Sequence, residues 1–242
     1  MKFLLITDLD NTLVGDAQAT LALNQKLATI RDRLCLIYAT GRSYKSARHL
    51  KHQEQLLEPD YWITGVGTEI HDQEKPDLAW ANWLDGDWNR EAIAKLVQSF
   101  PELIPQPNQE QNPRKLSYFL RSTVAESILA TLQLKLSQSN LPAHVIFSSN
   151  EDVDIVPVRG DKGLAVSYLR EKLQISPEVT IVCGDSGNDI SLFQHSTLGV
   201  IVRNAQPELL DWYCQYGQSS HYRAQSTYAW GILEALFHFK FF

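Results

Sequence analysis

Five short runs of apolar residues punctuate the chain: Phe3–Thr7, Leu34–Ala39, Tyr61–Thr64, Val179–Cys183 and Leu198–Val202. Each is almost continuously apolar, the pattern of parallel strands covered on both faces. Among and after them lie stretches with helical spacing of apolar positions: Ala17–Ile30, Ser43–Leu57, Gly163–Leu173, Asp189–His195, Pro207–Gln215 and Tyr228–Phe239. This alternation predicts an α/β fold, a doubly wound and mainly parallel sheet.

The middle of the chain breaks that rhythm. Residues 87–100 read as an amphipathic helix with Trp88, Ala92, Ile93, Leu96, Val97 and Phe100 on its apolar side. A stretch rich in Pro, Gln and Asn (101–113) follows, and then a strand at Lys115–Leu120. A second helix starts near Thr123, where Glu126 is placed to complete a capping box. Strands at His144–Ser148 and Val153–Val158 end the segment. Helices and strands grouped in this way predict a small α+β domain at 84–157, inserted into a core made of 1–83 and 158–242. Trp80, Trp83 and Trp88 are expected to pack the hinge between the two.

Composition narrows the function classes. The 242 residues are 44% hydrophobic and 21% charged, an ordinary globular balance with a net charge of −6. An acidic chain without a Lys/Arg block is a poor candidate for nucleic acid or anionic lipid. The apolar run at the N-terminus is too short for a signal peptide, and no stretch approaches the ~18 apolar residues of a membrane span. Cys35, Cys183 and Cys214 are widely spaced, and two of them sit in apolar runs. An odd, sparse count fits a reducing compartment, so a cytoplasmic location is expected.

Four points of chemical interest fall just after strands, the edge of a parallel sheet where ligands bind. Asp8 and Asp10 follow the first strand and, as alternate residues of an extended segment, point the same way roughly 6–7 Å apart. One carboxylate could attack a phosphorus while the other protonates the leaving oxygen, although two acids there could also simply cap a helix. Thr40-Gly41-Arg42-Ser43 follows the second strand. Gly41 permits a tight turn, and backbone N–H groups at the helix start suit an anion, or Ser43 is an ordinary N-cap. Lys162 stands beside the N-cap candidate Asp161, where a cation opposes the helix dipole by ~0.3–1 kcal/mol. That choice against local preference is expected where function overrides it, unless the lysine merely faces water. Finally, Gly184-Asp185-Ser186-Gly187-Asn188-Asp189 sets two acids around a strand-to-helix turn, with Asp185 a natural ligand for a hard cation such as Mg²⁺. One reaction uses all four. Phosphoryl transfer asks a protein for positioning and charge neutralisation, and this set supplies both.

DLDNT, ATGRS, Lys162 and GDSGND resemble, in order, the four motifs of the haloacid dehalogenase superfamily. The insertion between the second and third motifs resembles the C2-type cap of its sugar-phosphatase branch. A closer likeness is to the sucrose-phosphate phosphatases of cyanobacteria and plants, carried by 8–16, 38–48, 59–70, 184–193 and 200–213, by HYRAQ at 221–225 and by 229–239. The resemblance implies a Mg²⁺-dependent phosphohydrolase with a Rossmann-like core. Asp8 is implied as nucleophile and Asp10 as general acid/base. Mg²⁺ is implied at Asp8, the Asp10 backbone carbonyl and Asp185, with Asp189 in support. Thr40, Gly41, Lys162 and Asn188 are implied as phosphate binders. The implied substrate is sucrose 6-phosphate, with association with a sucrose-phosphate synthase left open. Plant relatives carry a further C-terminal domain, and with the chain ending at Phe242 no role for one is expected.

Candidate sugar contacts are Arg42, Ser43, Gly67 and Glu69 in the core and Lys115, Asp152 and Asp154 in the insertion. Rival readings are a phosphatase for trehalose phosphate or mannosyl- or glucosylglycerate phosphate, a phosphomutase, and a phospho-aspartate receiver module. Receivers are about half this length and use the aspartate of a later strand, so the DxD after the first strand speaks against the last.

Overall fold

A computed structural model describes residues 2–195 and 197–242. In chain order the first elements are β1 (Phe3–Thr7), α1 (Ala17–Ala28), β2 (Leu34–Ala39), α2 (Tyr44–Gln53), β3 (Tyr61–Thr64), β4 (Glu69–Asp72), β5 (Lys75–Pro76) and α3 (Leu78–Leu84). Then come α4 (Arg90–Val97), β6 (Ile104–Pro105), β7 (Leu116–Phe119), α5 (Ser122–Gln138), β8 (Ala143–Ser148) and β9 (Asp152–Pro157). The chain returns through α6 (Lys162–Leu173), β10 (Thr180–Gly184), β11 (Leu198–Ile201), α7 (Pro207–Tyr216), β12 (His221–Arg223) and α8 (Tyr228–His238).

The larger sheet runs β12-β11-β10-β1-β2-β3-β4-β5, parallel from β12 to β3 and antiparallel beyond. Its register sets Leu5 between Leu36 and Ile181, and Ile6 between Ile37 and Val182. Successive strand residues point to opposite faces. Accordingly Leu5, Leu36, Ile181 and Val200 join one buried cluster with Leu23 and Leu27 of α1 and Ile232 and Leu236 of α8. Leu4, Ile6, Ile37, Val182 and Ile201 join a second, with Trp80 of α3 and Val166 and Leu169 of α6. Both faces are covered, which is why these strands read as unbroken apolar runs.

The smaller sheet, β6-β7-β9-β8, is antiparallel. It carries its own cluster, in which Ile93 and Val97 of α4 and Leu132 and Leu136 of α5 meet Leu116, Val153 and Ile155. The capping box expected at Thr123 and Glu126 does not form. Helix α5 begins at Ser122 after an extended Arg121 that makes no side-chain cap, which puts Thr123 inside the helix. The helix expected at 189–195 is a 3₁₀ helix over Gly187–Gln194. Trp80 is buried and its indole N–H donates to the Gly67 carbonyl at 3.0 Å, whereas Trp83 is exposed under the Arg159 guanidinium. Among the described residues no helix is long and apolar enough to cross a membrane.

Candidate active site

Asp8 continues β1, and its backbone N–H donates to the Cys183 carbonyl at 3.0 Å, so the neighbouring strand fixes its place. Lys162 opens α6 with no exposed surface at all. Its ammonium donates to Asp8 Oδ1 at 2.7 Å, Asp189 Oδ1 at 2.7 Å and Asn188 Oδ1 at 2.6 Å. The lysine set against the helix dipole therefore faces acids, not water. Asp161 beside it is the N-cap, accepting from Leu164 N.

Asp189 is held from its other side, where Oδ2 accepts from the backbone N–H groups of Asp185 and Ser186 at 2.9 and 3.1 Å. With Ser186 it forms a capping box, and the bend of that loop aims Asp185 at the site. Thr12 Oγ1 donates to Asp185 Oδ1 at 2.8 Å and ties the DxD loop to the second acidic cluster.

Asp8, Asp185 and Asp189 each offer a carboxylate oxygen within 4.8 Å of the others, all buried. One buried ammonium does not balance three carboxylates. Burial pushes the Asp8 carboxyl well above its ordinary range, against the pull of Lys162 and with the push of Asp189 and Asp185. Burial, then Asp189, pushes Asp185 up to about 7. Burial also works against the charge on Lys162, but Asp189 and Asp8 together hold it above the usual lysine value. A site built of oxygen donors with surplus buried negative charge fits a hard divalent cation. Both Asp189 oxygens are already engaged, which leaves Asp8 and Asp185 as the carboxylates free to ligate and Asp189 as their support.

The Asp10 side chain stands apart from that cluster. It points to the mouth of the cleft, where Arg42 grips it through Nε–Oδ2 at 2.6 Å and Nη2–Oδ1 at 2.7 Å. Arg42 also donates to Ser46 Oγ at 2.9 Å. Thr40 is buried between β2 and β3, its N–H donating to Ile63 O.

A cleft of about 290 Å³ opens above these groups. The core side includes Asp8, Asp10, Thr40, Gly41, Arg42 and Asn188, and the facing wall comes from the smaller sheet and its loops: Gln106, Glu110, Lys115, Ser148, Asp152 and Asp154. Lys115 is buried and donates to Asp154 Oδ1 at 3.2 Å and to the Gly41 carbonyl at 3.3 Å. Ser117 Oγ donates to the same Asp154 oxygen at 2.6 Å. Gln106 Nε2 donates to Asp152 Oδ1 at 2.7 Å, and burial, then Asp154 and Glu151, pushes Asp152 up to about 6.

Three of the candidate sugar contacts lie outside this cleft. Ser43 precedes α2 without a side-chain capping bond. Gly67, at φ +93°, is where the backbone passes Asp161 and Lys162, and a Cβ there would lie 2.2 Å from the Asp161 carbonyl carbon. Glu69 accepts from Thr64 Oγ1 at 3.0 Å, one strand away. Conversely Thr12, Gln106, Glu110, Ser148 and Ser149 escaped the sequence reading. Gln106 and Glu110 lie in the Pro/Gln/Asn-rich stretch, where no period marks a face, and only the helix-breaking composition of 101–113 pointed to a loop there.

The sequence model of the family described as sucrose-6F-phosphate phosphohydrolase matches residues 1–240. The chain belongs to that family. Within and near the sucrose-6F-phosphate phosphohydrolases, a solved structure with the same fold is the sucrose-phosphatase of Synechocystis sp. PCC6803 in complex with sucrose and phosphate. It is 51% identical, covers 99% of each chain and gives a TM-score of 0.97. Sucrose-phosphatase 2 of Nicotiana tabacum is 35% identical over 98% of this chain, which spans only 59% of that relative's length. The mannosylfructose-phosphate phosphatase of Agrobacterium fabrum is 34% identical over 97% of this chain and 96% of its own. The family fold is haloacid dehalogenase-like, a mostly parallel α/β sheet between helices.

Proposed function

We propose that this chain is a phosphohydrolase that cleaves sucrose 6-phosphate to sucrose and inorganic phosphate. The observation that carries the chemistry is the buried group of Asp8, Lys162, Asp185 and Asp189 at the sheet edge. Substrate identity is supported by the Synechocystis sucrose-phosphatase, 51% identical over 99% of both chains.

Asp8 attacks the phosphorus through a carboxylate oxygen, and the ester P–O bond breaks toward the sugar. Asp10 gives its proton to the departing sugar oxygen, then takes one from the water that attacks phosphorus and releases phosphate from Asp8. Arg42, bidentate on Asp10, fixes that carboxyl's orientation until substrate arrives. Thr40, the backbone of Gly41, Lys162 and Asn188 hold the phosphoryl oxygens. Mg²⁺, held by Asp8, the Asp10 backbone carbonyl and Asp185 with Asp189 behind them, supplies charge neutralisation when bound. The body built on 84–157 acts as the cap, and Lys115, Asp152 and Asp154 read sugar hydroxyls beside Gln106. The three free cysteines support a reducing, cytoplasmic setting.

Mannosylfructose phosphate is a second reading, favoured by the full-length match to the Agrobacterium enzyme. The test is kcat/KM with Mg²⁺ on sucrose 6-phosphate, mannosylfructose phosphate, trehalose 6-phosphate, glucose 6-phosphate and fructose 6-phosphate. A clear preference for sucrose 6-phosphate is expected, and a flat profile removes the substrate assignment while leaving the chemistry.

A further inference from the structure

One corner of the cleft carries contacts that neither the chemistry nor the sugar wall explains. The β8–β9 hairpin of the smaller sheet turns at Ser149 and Asn150, both with positive φ. Its tip rests on the loop that carries Asp185, Asn188 and Asp189. Here Glu208, in the first turn of α7, places one carboxylate oxygen between the two bodies. Oε1 accepts from Ser149 N at 2.9 Å and from Gly187 N at 3.4 Å. A glutamate in that position serves its own helix dipole in the ordinary case, but this one reaches outward to two N–H groups of other segments.

The surrounding geometry makes the contact specific. Gly187 is needed at its position, because a Cβ there would lie 2.2 Å from Phe147 O of the hairpin and 2.9 Å from Glu208 Cγ. Asn188 Nδ2 also donates weakly to Ser148 Oγ, at 3.4 Å. The helix bearing Glu208 is itself pinned to the site, since Gln206 N donates to Asp185 O at 2.7 Å. A force on the hairpin is thus transmitted through Glu208 to the backbone that carries Asp185 and Asn188.

We infer that Glu208 is a positioning residue that latches the cap hairpin against the acidic loop, so that the sugar wall and the phosphoryl site meet in one register. The inference rests on the phosphatase reading for its kinetic consequence, though not for its geometry.

The test uses Glu208→Ala and Glu208→Gln, the latter keeping an acceptor oxygen. A distance distribution between spin labels on native, exposed Cys214 of α7 and on Ser139→Cys, at the exposed end of α5, reports cap position without substrate. Cys35 and Cys183 are buried and stay unlabelled in the folded protein. The expected result is a narrow distribution for the parent and for Gln, and a broader one at longer distance for Ala. Kinetically, Ala is expected to lose about tenfold or more in kcat/KM on the sugar phosphate that the parent prefers, the worth of one hydrogen bond to a charged group. On p-nitrophenyl phosphate, which has no sugar to read, the loss should be about threefold at most, and Gln should recover most of the sugar-phosphate rate. An unchanged distance distribution overturns the latch, as does an equal loss on both substrates with a lowered Tm, or a Gln variant no better than Ala. If the parent hydrolyses no sugar phosphate, the proposed function fails and the distance measurement alone decides the latch.

Discussion

Asp8 sits where burial and neighbouring acids work against its charge. Its carboxylate shares a nearly dry pocket with two others and a single ammonium, so ionising it without a cation is unfavourable. Asp8→Asn keeps shape and an acceptor for Lys162 while removing one charge. Turnover should fall to background, and the Tm in EDTA should equal or exceed that of the parent. Residual steady-state hydrolysis near the parent rate would remove Asp8 from the nucleophile's place. The same crowding sets a pH dependence. Asp185 has a folded value near 7, against an ordinary unfolded value of 3.8. The folded state therefore holds the extra proton between those limits. The stability that proton confers is complete below about pH 4 and is lost as pH rises through about 7. A divalent ion reverses the trend because it favours the ionised form. At about 100 times its Kd it adds ~2.7 kcal/mol, or about 5–10 °C in Tm, and the gain of Mg²⁺ over EDTA should be larger at pH 8 than at pH 5.5. Equal gains at both would count against a carboxylate site. These acids were legible in the sequence because each follows a strongly apolar strand. The partners that orient them were not. Thr12 and Arg42 reach Asp185 and Asp10 across 173 and 32 residues, and no local pattern encodes such a pairing.

Among the elements, legibility followed burial. The boundaries of β1, β2 and β3 emerge from apolar runs alone, since both faces of those strands are covered. The pieces that escaped were β4, β5, β6, β12 and α3, each of two to seven residues and mostly at sheet edges, where pattern has too few positions to show a period. The segment expected as an α-helix is a 3₁₀ helix at Gly187–Gln194, opened by the Ser186–Asp189 capping box. The turn between β3 and β4 shows how an element with no chemistry of its own serves the site. Gly67 lets that turn lie against Asp161 and Lys162, with a Cβ excluded both by space and by φ. Gly67→Ala should displace the start of α6, lowering Tm and moving the Lys162 ammonium away from Asp8. A loss of kcat alongside the thermal shift is expected, and a variant with parental kcat would show the approach to be dispensable.

At the scale of the molecule, two hydrophobic bodies meet across one polar cleft. Their clusters are separate: Leu5, Ile181 and Val200 lie on one side, and Val153, Ile155 and Leu132 on the other. Cation binding at the acidic group should therefore stabilise them unequally, because only β1 and β10 end at it. Amide exchange at Leu5, Ile6 and Val182 should slow on addition of Mg²⁺, while Val153 and Ile155 change little. Uniform slowing would mean that the bodies open as one. The order of segments in the larger sheet has a consequence for biosynthesis. The strand that ends at Asp8 lies between β2 and β10, and its lysine and second acid are contributed 154 and more residues later. The smaller sheet closes from contiguous residues of its own, β6 to β9, and needs no strand of the larger sheet, whereas β1 needs β10 from beyond it. The acidic group therefore stays incomplete until residues 162–189 have been added, with the first strand paired to β2 on one side and waiting for β10 on the other.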